Sequence, residues 1–146
     1  MDLYTIGFTQ KTAKKFFELL INNKINRVID IRLNNKSQLA GFAKGDDLKY
    51  FLEAVGKIEY VYMPEYAPTE ELLKGYRNKE ISWEEYELHY LKILRDRDIL
   101  KNIDWTTFDR GCLLCSEESA TNCHRRLLAE YLVSSNKDII IKHLGE

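Results

Sequence analysis

The run Gly111-Cys112-Leu113-Leu114-Cys115 contains no charged side chain and is flanked by Asp109-Arg110 on one side and Ser116-Glu117 on the other. Apolar residues at consecutive positions, rather than at every second one, mark a strand buried on both faces. Ser116, Glu117 and Glu118 break the pattern. Thr121 or Asn122 can then cap a helix whose Leu127, Leu128, Tyr131 and Leu132 share one face. A doubly covered strand that delivers the chain into a helix belongs in a parallel sheet with helices packed on it. The connecting turn then falls at the carboxyl edge of the sheet, where open α/β proteins bind their ligands.

The rest of the sequence repeats that alternation. Residues 3–8, 27–32, 58–63 and 138–144 have the look of strands, and residues 10–22, 47–55, 70–76 and 82–103 carry helical spacing. Thr9 is the expected cap of the first helix, and Ser82-Trp83-Glu84-Glu85 has a capping-box pattern. The prediction is an α/β fold: a mostly parallel five-stranded sheet with helices on both faces, Rossmann-like and three-layered. It is expected to form a single domain over residues 1–146.

Composition narrows the partners. A chain of 146 residues can bury a substantial core. Its net charge of −1 argues against holding nucleic acid through charge alone. No apolar stretch reaches membrane-spanning length and the first residues lack a signal-peptide pattern, so no membrane contact is expected. Three cysteines form an odd count without disulfide-framework spacing, and a reducing, cytoplasmic location is the expectation. A Walker-type phosphate loop and a dinucleotide glycine fingerprint are both missing from the sequence. Cys123 precedes Arg125 by two positions, unlike the Cys-x5-Arg of phosphatases. The cofactor and the oligomeric state stay unassigned.

Candidate site residues follow from the predicted strand ends. Asp30 and Arg32 are two apart, so on one strand they share a side. Opposite charges at the end of an apolar strand are costly unless paired or used. An Asp30–Arg32 or Asp30–Arg125 ion pair fixing the sheet rim and a substrate-binding role all fit. Around the fourth strand and its helix lie Cys115, Glu117, Cys123 and His124, the catalytic candidates. Amide groups at the helix start attract anions, and Arg125 adds a guanidinium suited to phosphate or carboxylate. Asp30, Arg32 and Arg125 are therefore the substrate-binding candidates.

The chain resembles the domain-of-unknown-function family 488. The resemblance rests on Thr5-Ile6-Gly7 in the first strand, Asp30-Ile31-Arg32 ending the second, then Ser37 and Gly41-Phe42. Its most specific part is Leu114-Cys115-Ser116-Glu117 followed by Cys123-His124-Arg125. Two departures accompany it. Leu33-Asn34-Asn35 stands where the family often has proline, and Glu65-Tyr66-Ala67-Pro68 where it often has Leu-Gly-Gly. The resemblance implies the fold and the site's location, but no reaction.

Four readings of the thiols compete. Cys115 or Cys123 is a nucleophile, with Cys123 favoured by a helix start near Arg and His. Cys115, Cys123 and His124 bind a metal with Glu117 as ligand or base, although adjacent Cys123 and His124 diverge on a helix. Cys115 and Cys123 form a reversible disulfide. Or the thiols simply pack the strand–helix junction, the strongest reading for Cys112. Glu117 is an acid–base group or the partner of Arg125. The expectation is a small enzyme acting on an anionic substrate, which could bear a phosphate or nucleotide. The alternatives are a non-catalytic nucleotide or nucleic-acid binding module and a thiol-based redox or metal-binding protein.

Overall fold

Consecutive apolar positions on the fourth strand do face two different cores. The computed structural model describes residues 1–36, 41–117 and 119–146. Its strands are β1 (Asp2–Gly7), β2 (Arg27–Asp30), β3 (Glu59–Tyr62), β4 (Gly111–Cys115) and β5 (Ile140–His143). Among the described residues they form one sheet in the order β3-β2-β4-β1-β5. Every pairing is parallel, so the expected mostly parallel sheet is wholly so.

Helices α1 (Ala13–Asn22) and α2 (Gly45–Gly56) lie against one face of this sheet. There Phe16, Leu20, Leu48 and Leu52 pack on Ile6, Val28, Cys112 and Leu114. Helices α3 (Glu70–Arg77), α4 (Trp83–Asp96) and α5 (His124–Ser135) cover the other face. Leu72, Tyr90, Leu94, Leu128 and Leu132 pack there on Leu3, Ile29 and Leu113. The two-residue period of a strand thus sends Cys112 to the first layer and Cys115, an odd number of positions away, toward the second. The result is the predicted α/β three-layer arrangement.

Element ends differ from the sequence expectations for local reasons. Thr12, not Thr9, caps α1, its hydroxyl accepting from the Lys15 amide at 3.1 Å. The Thr9 hydroxyl instead donates to the Ser116 carbonyl, tying the turn after β1 to the turn after β4. The N-cap of α5 is Cys123 rather than Thr121 or Asn122, and its side chain makes no capping bond. Helix α4 stops at Asp96 instead of running to 103, because Asp98 and Asn102 adopt left-handed backbone with φ of 52° and 55°. The capping box at its start is formed, with Ser82 and Glu85 bonding each other's amides.

This connectivity positions a crevice. β4 leads to α5 on one face, whereas its neighbours β1 and β2 lead to α1 and α2 on the other. Chains leaving adjacent strands in opposite directions open a gap at the carboxyl edge. Gly7 ends β1 beside its register partner Cys115. A Cβ at Gly7 would overlap the Glu117 carbonyl oxygen and meet the Arg125 guanidinium at 2.6 Å, so only glycine lets the two turns approach. No helix among the described residues is long and apolar enough to cross a membrane.

Candidate functional site

At the end of β2 the strand's last carboxylate is fully enclosed. Asp30 is 0% exposed and accepts from Arg32 Nε at 2.8 Å and Arg32 Nη2 at 2.7 Å. The Arg32 amide reaches Asp30 Oδ1 at 3.2 Å. Tyr60, from β3, donates its hydroxyl to Asp30 Oδ2 at 2.6 Å and accepts from Asn35 Nδ2 at 3.1 Å. Burial, then the Asp30 hydrogen bond and charge, push the Tyr60 phenol well above its ordinary pKa, so it stays a donor. Arg32 stacks over Phe8, with its guanidinium carbon 5.3 Å from the ring centre. Its Nη1 is buried and has no hydrogen-bond partner among the described residues.

The first turn of α5 buries a second guanidinium. Arg125 is 0% exposed; its Nε donates to Thr5 Oγ1 at 3.1 Å and its Nη1 to the Glu117 carbonyl at 2.5 Å. Nη1 also lies 3.3 Å from Cys115 Sγ, and Nη2 pairs with Glu146 Oε1 at 3.3 Å. Burial lowers the Arg125 pKa and Glu146 opposes that shift. Thr5 contacts His143 Nδ1 at 2.6 Å, which links β5 to the same cluster. The contact between Arg125 and Glu117 that is seen therefore uses the main-chain carbonyl of Glu117. The Glu117 side chain is exposed, and β4 ends at Cys115, so the strand alternation that would align the two does not extend that far.

Cys115 and Cys123 are joined as a disulfide across the turn, while Cys112 is a free, buried thiol. Cys123 Sγ lies 4.0 Å from His124 Nδ1. His124 Nε2 is 2.8 Å from the Ile31 carbonyl, which can only accept, so Nε2 carries the proton and Nδ1 presents its lone pair. Burial brings the His124 pKa down to about 4, a shift that the Ile31 bond opposes and Arg125 reinforces. The imidazole is neutral at pH 7. That Ile31 bond also stitches α5 to the residue between Asp30 and Arg32. Sequence-distant groups from β2 and β4 are thereby brought together.

A family model described as "Domain of unknown function DUF488" matches residues 12–132. The chain belongs to this family. No curated protein and no solved structure matches it. The DUF488 match starts beyond β1, so Thr5-Ile6-Gly7 lies outside it, whereas Asp30-Ile31-Arg32 and Cys123-His124-Arg125 lie within. Ser37, part of the resemblance seen in the sequence, lies outside the described residues.

The DUF488 cavity has a volume of about 850 Å³ and gathers Arg32, Cys115, Glu117, Cys123 and His124 on its walls. Asp30 and Arg125 are not among its lining residues; each stands behind one that is. The opposite wall comes from α3 and α4 through Tyr76, Arg77, Trp83 and Tyr86. Trp83 and Tyr86 stack at 4.9 Å, and Tyr76 packs edge-on to Trp83 at 5.4 Å. Sequence reasoning missed this wall and Tyr60. The available signal was aromatic spacing of three and four at Trp83, Tyr86 and Tyr90, which reads equally as core. Among the described residues no group of three or more His, Cys, Asp or Glu side chains is placed to hold a metal ion.

Proposed function

We propose that this DUF488 chain is a small enzyme acting on an anionic substrate bound in the cavity at the carboxyl ends of β2 and β4. The observation that carries the reading is Arg32, whose buried Nη1 has no hydrogen-bond partner among the described residues while the rest of its guanidinium is fixed by Asp30. A buried donor left unbonded is costly, and an anion entering beside it would remove that cost. In this reading Asp30 holds Arg32 rather than exchanging protons, because its oxygens are already engaged. Arg32, with Arg77 across the cavity, binds the anion. Glu117, exposed at the rim, is the acid–base group. Once the Cys115–Cys123 disulfide is reduced, Cys123 is the reacting thiol, beside His124 Nδ1, and Arg125 positions Cys115 and the Glu117 turn.

The test is ligand-induced thermal stabilisation with inorganic phosphate, a simple dicarboxylate and a nucleoside monophosphate. At least one anion should raise the melting temperature. Arg32→Lys, which keeps a cation beside Asp30 but loses the fork, should weaken that binding about tenfold, or about 1.4 kcal/mol. Equal binding by wild type and Arg32→Lys would sink the proposal. Anion binding without turnover of any phosphate ester, carboxylate or anionic disulfide offered would favour the non-catalytic module instead.

A further inference from the structure

We infer that the reaction of this site is thiol–disulfide exchange between the Cys115–Cys123 pair and a small anionic disulfide, with Cys123 as the attacking thiol. The inference rests on the anion-binding reading for its choice of substrate, but not for the exchange itself.

The pairing is organised by structure on both sides. The turn that carries the chain from Cys115 back to Cys123 is fastened by the Thr9 hydroxyl on the Ser116 carbonyl, by Arg125 on the Glu117 carbonyl and by Glu146 on the Ala120 amide. Cys115 and Cys123 both line the cavity; Cys112 does not, and packs among Ile6, Val28 and Leu114. The two paired sulfurs also differ. Cys123 stands at the amino end of a 12-residue helix, beside the lone pair of His124 Nδ1. The helix amino end favours a thiolate there. Cys115 has the Arg125 guanidinium at 3.3 Å, which stabilises charge on its sulfur as it leaves or attacks.

The chemistry balances. Solvent water takes the Cys123 proton, and the thiolate attacks one sulfur of R–S–S–R. The substrate S–S bond breaks, a Cys123–S–S–R bond forms, and RS⁻ leaves with that proton. The Cys115 thiolate then attacks Cys123 Sγ, the mixed disulfide breaks, and the second RS⁻ leaves with the Cys115 proton. Two electrons pass to the substrate, which departs as two RSH, and the protein retains its own disulfide. Excess RSH runs the same steps backwards and restores the dithiol.

The experiment mixes reduced full-length protein with glutathione disulfide, which is anionic, and separately with neutral bis(2-hydroxyethyl) disulfide. Released thiol and protein mass are followed. Wild type should release two thiols per chain and gain a Cys115–Cys123 bond while Cys112 stays free. Cys115→Ser should accumulate a mixed disulfide on Cys123, and Cys123→Ser should form an adduct about tenfold more slowly. Cys115→Ala repeats the trapping if serine in that buried position impairs folding. Adducts on Cys123→Ser as fast as on Cys115→Ser, or oxidation through Cys112, would overturn the inference. So would failure of both reagents to close the pair, even with phosphate binding intact. Closure at equal rates by both reagents, unchanged in Arg32→Lys, would support the exchange and overturn the anion reading alone.

Discussion

Two buried arginines stand at the same edge of the sheet and are used differently. Arg125, at the start of α5, distributes its donors over Thr5, Cys115, the Glu117 carbonyl and Glu146, and so binds together β1, the turn after β4 and the residues after β5. Arg32, after β2, gives two donors to a single carboxylate and, among the described residues, keeps Nη1 unbonded on a residue that lines the cavity. Burial alone therefore does not identify a binding residue. In the proposed reading the unbonded donor marks Arg32 as the binding residue, whereas Arg125 spreads its donors over several elements.

The largest effect expected from this contrast is on stability. Arg125→Met should destabilise the fold by about 3 kcal/mol, since it strips bonding partners from several elements at once. Glu146, being a third exposed, contributes little to that figure. Urea denaturation measures the loss. Arg32→Lys should cost less than half as much, because a cation remains beside Asp30. Equal losses in the two variants would erase the distinction between the two arginines.

A second effect sharpens the same comparison through pH. His124 bridges the two regions by its bond to Ile31, and burial holds its pKa at about 4 against 6.5 for the free side chain. A depressed histidine pKa means that the unfolded chain takes up a proton the folded one refuses. Stability contributed by the neutral ring is therefore complete above pH 6.5 and falls as the pH drops toward 4, by on the order of 3 kcal/mol in total. His124→Gln, which preserves a donor for Ile31, should lack this component. Subtracting its urea midpoints from those of wild type between pH 4 and 7 isolates the histidine from the carboxylates. A difference independent of pH would mean that the ring is not buried in neutral form.

How much of this was legible in sequence depends on the range of the forces involved. The strands and the layering could be read because Cys112, Leu113 and Leu114 are apolar on both sides of the chain, and a strand with two apolar faces needs two covering layers. The capping box at Ser82 was legible because its partners are three residues apart. The α1 and α5 caps were not, because Thr9 is claimed by Ser116 across the sheet edge and Cys123 is held by its disulfide to Cys115. Gly7 could be read as part of a motif, but its reason, contact with the Glu117 turn, lies 110 positions away. The pairing of Asp30 with Arg32 was local, and it stood beside pairing with Arg125 and a substrate-binding role as one of three readings. The enclosure by Tyr60 was invisible, since a tyrosine on an edge strand has many uses.

That enclosure gives the smallest and most discriminating effect. Tyr60→Phe removes the 2.6 Å bond to Asp30 Oδ2 and the acceptor of Asn35, but leaves both Arg32 contacts and the Arg32 amide on the carboxylate. A single bond to a carboxylate that keeps its other partners is worth about 1–2 kcal/mol, so urea denaturation should detect a modest loss. The more telling readout is the anion affinity of Arg32. If Asp30 holds the guanidinium mainly through its two ionic contacts, affinity in Tyr60→Phe should stay within about twofold of wild type, below 0.5 kcal/mol. If affinity instead falls as far as in Arg32→Lys, the tyrosine is what aims Arg32. The end of β2 would then be a three-residue binding device spanning β2 and β3, with no counterpart at Arg125.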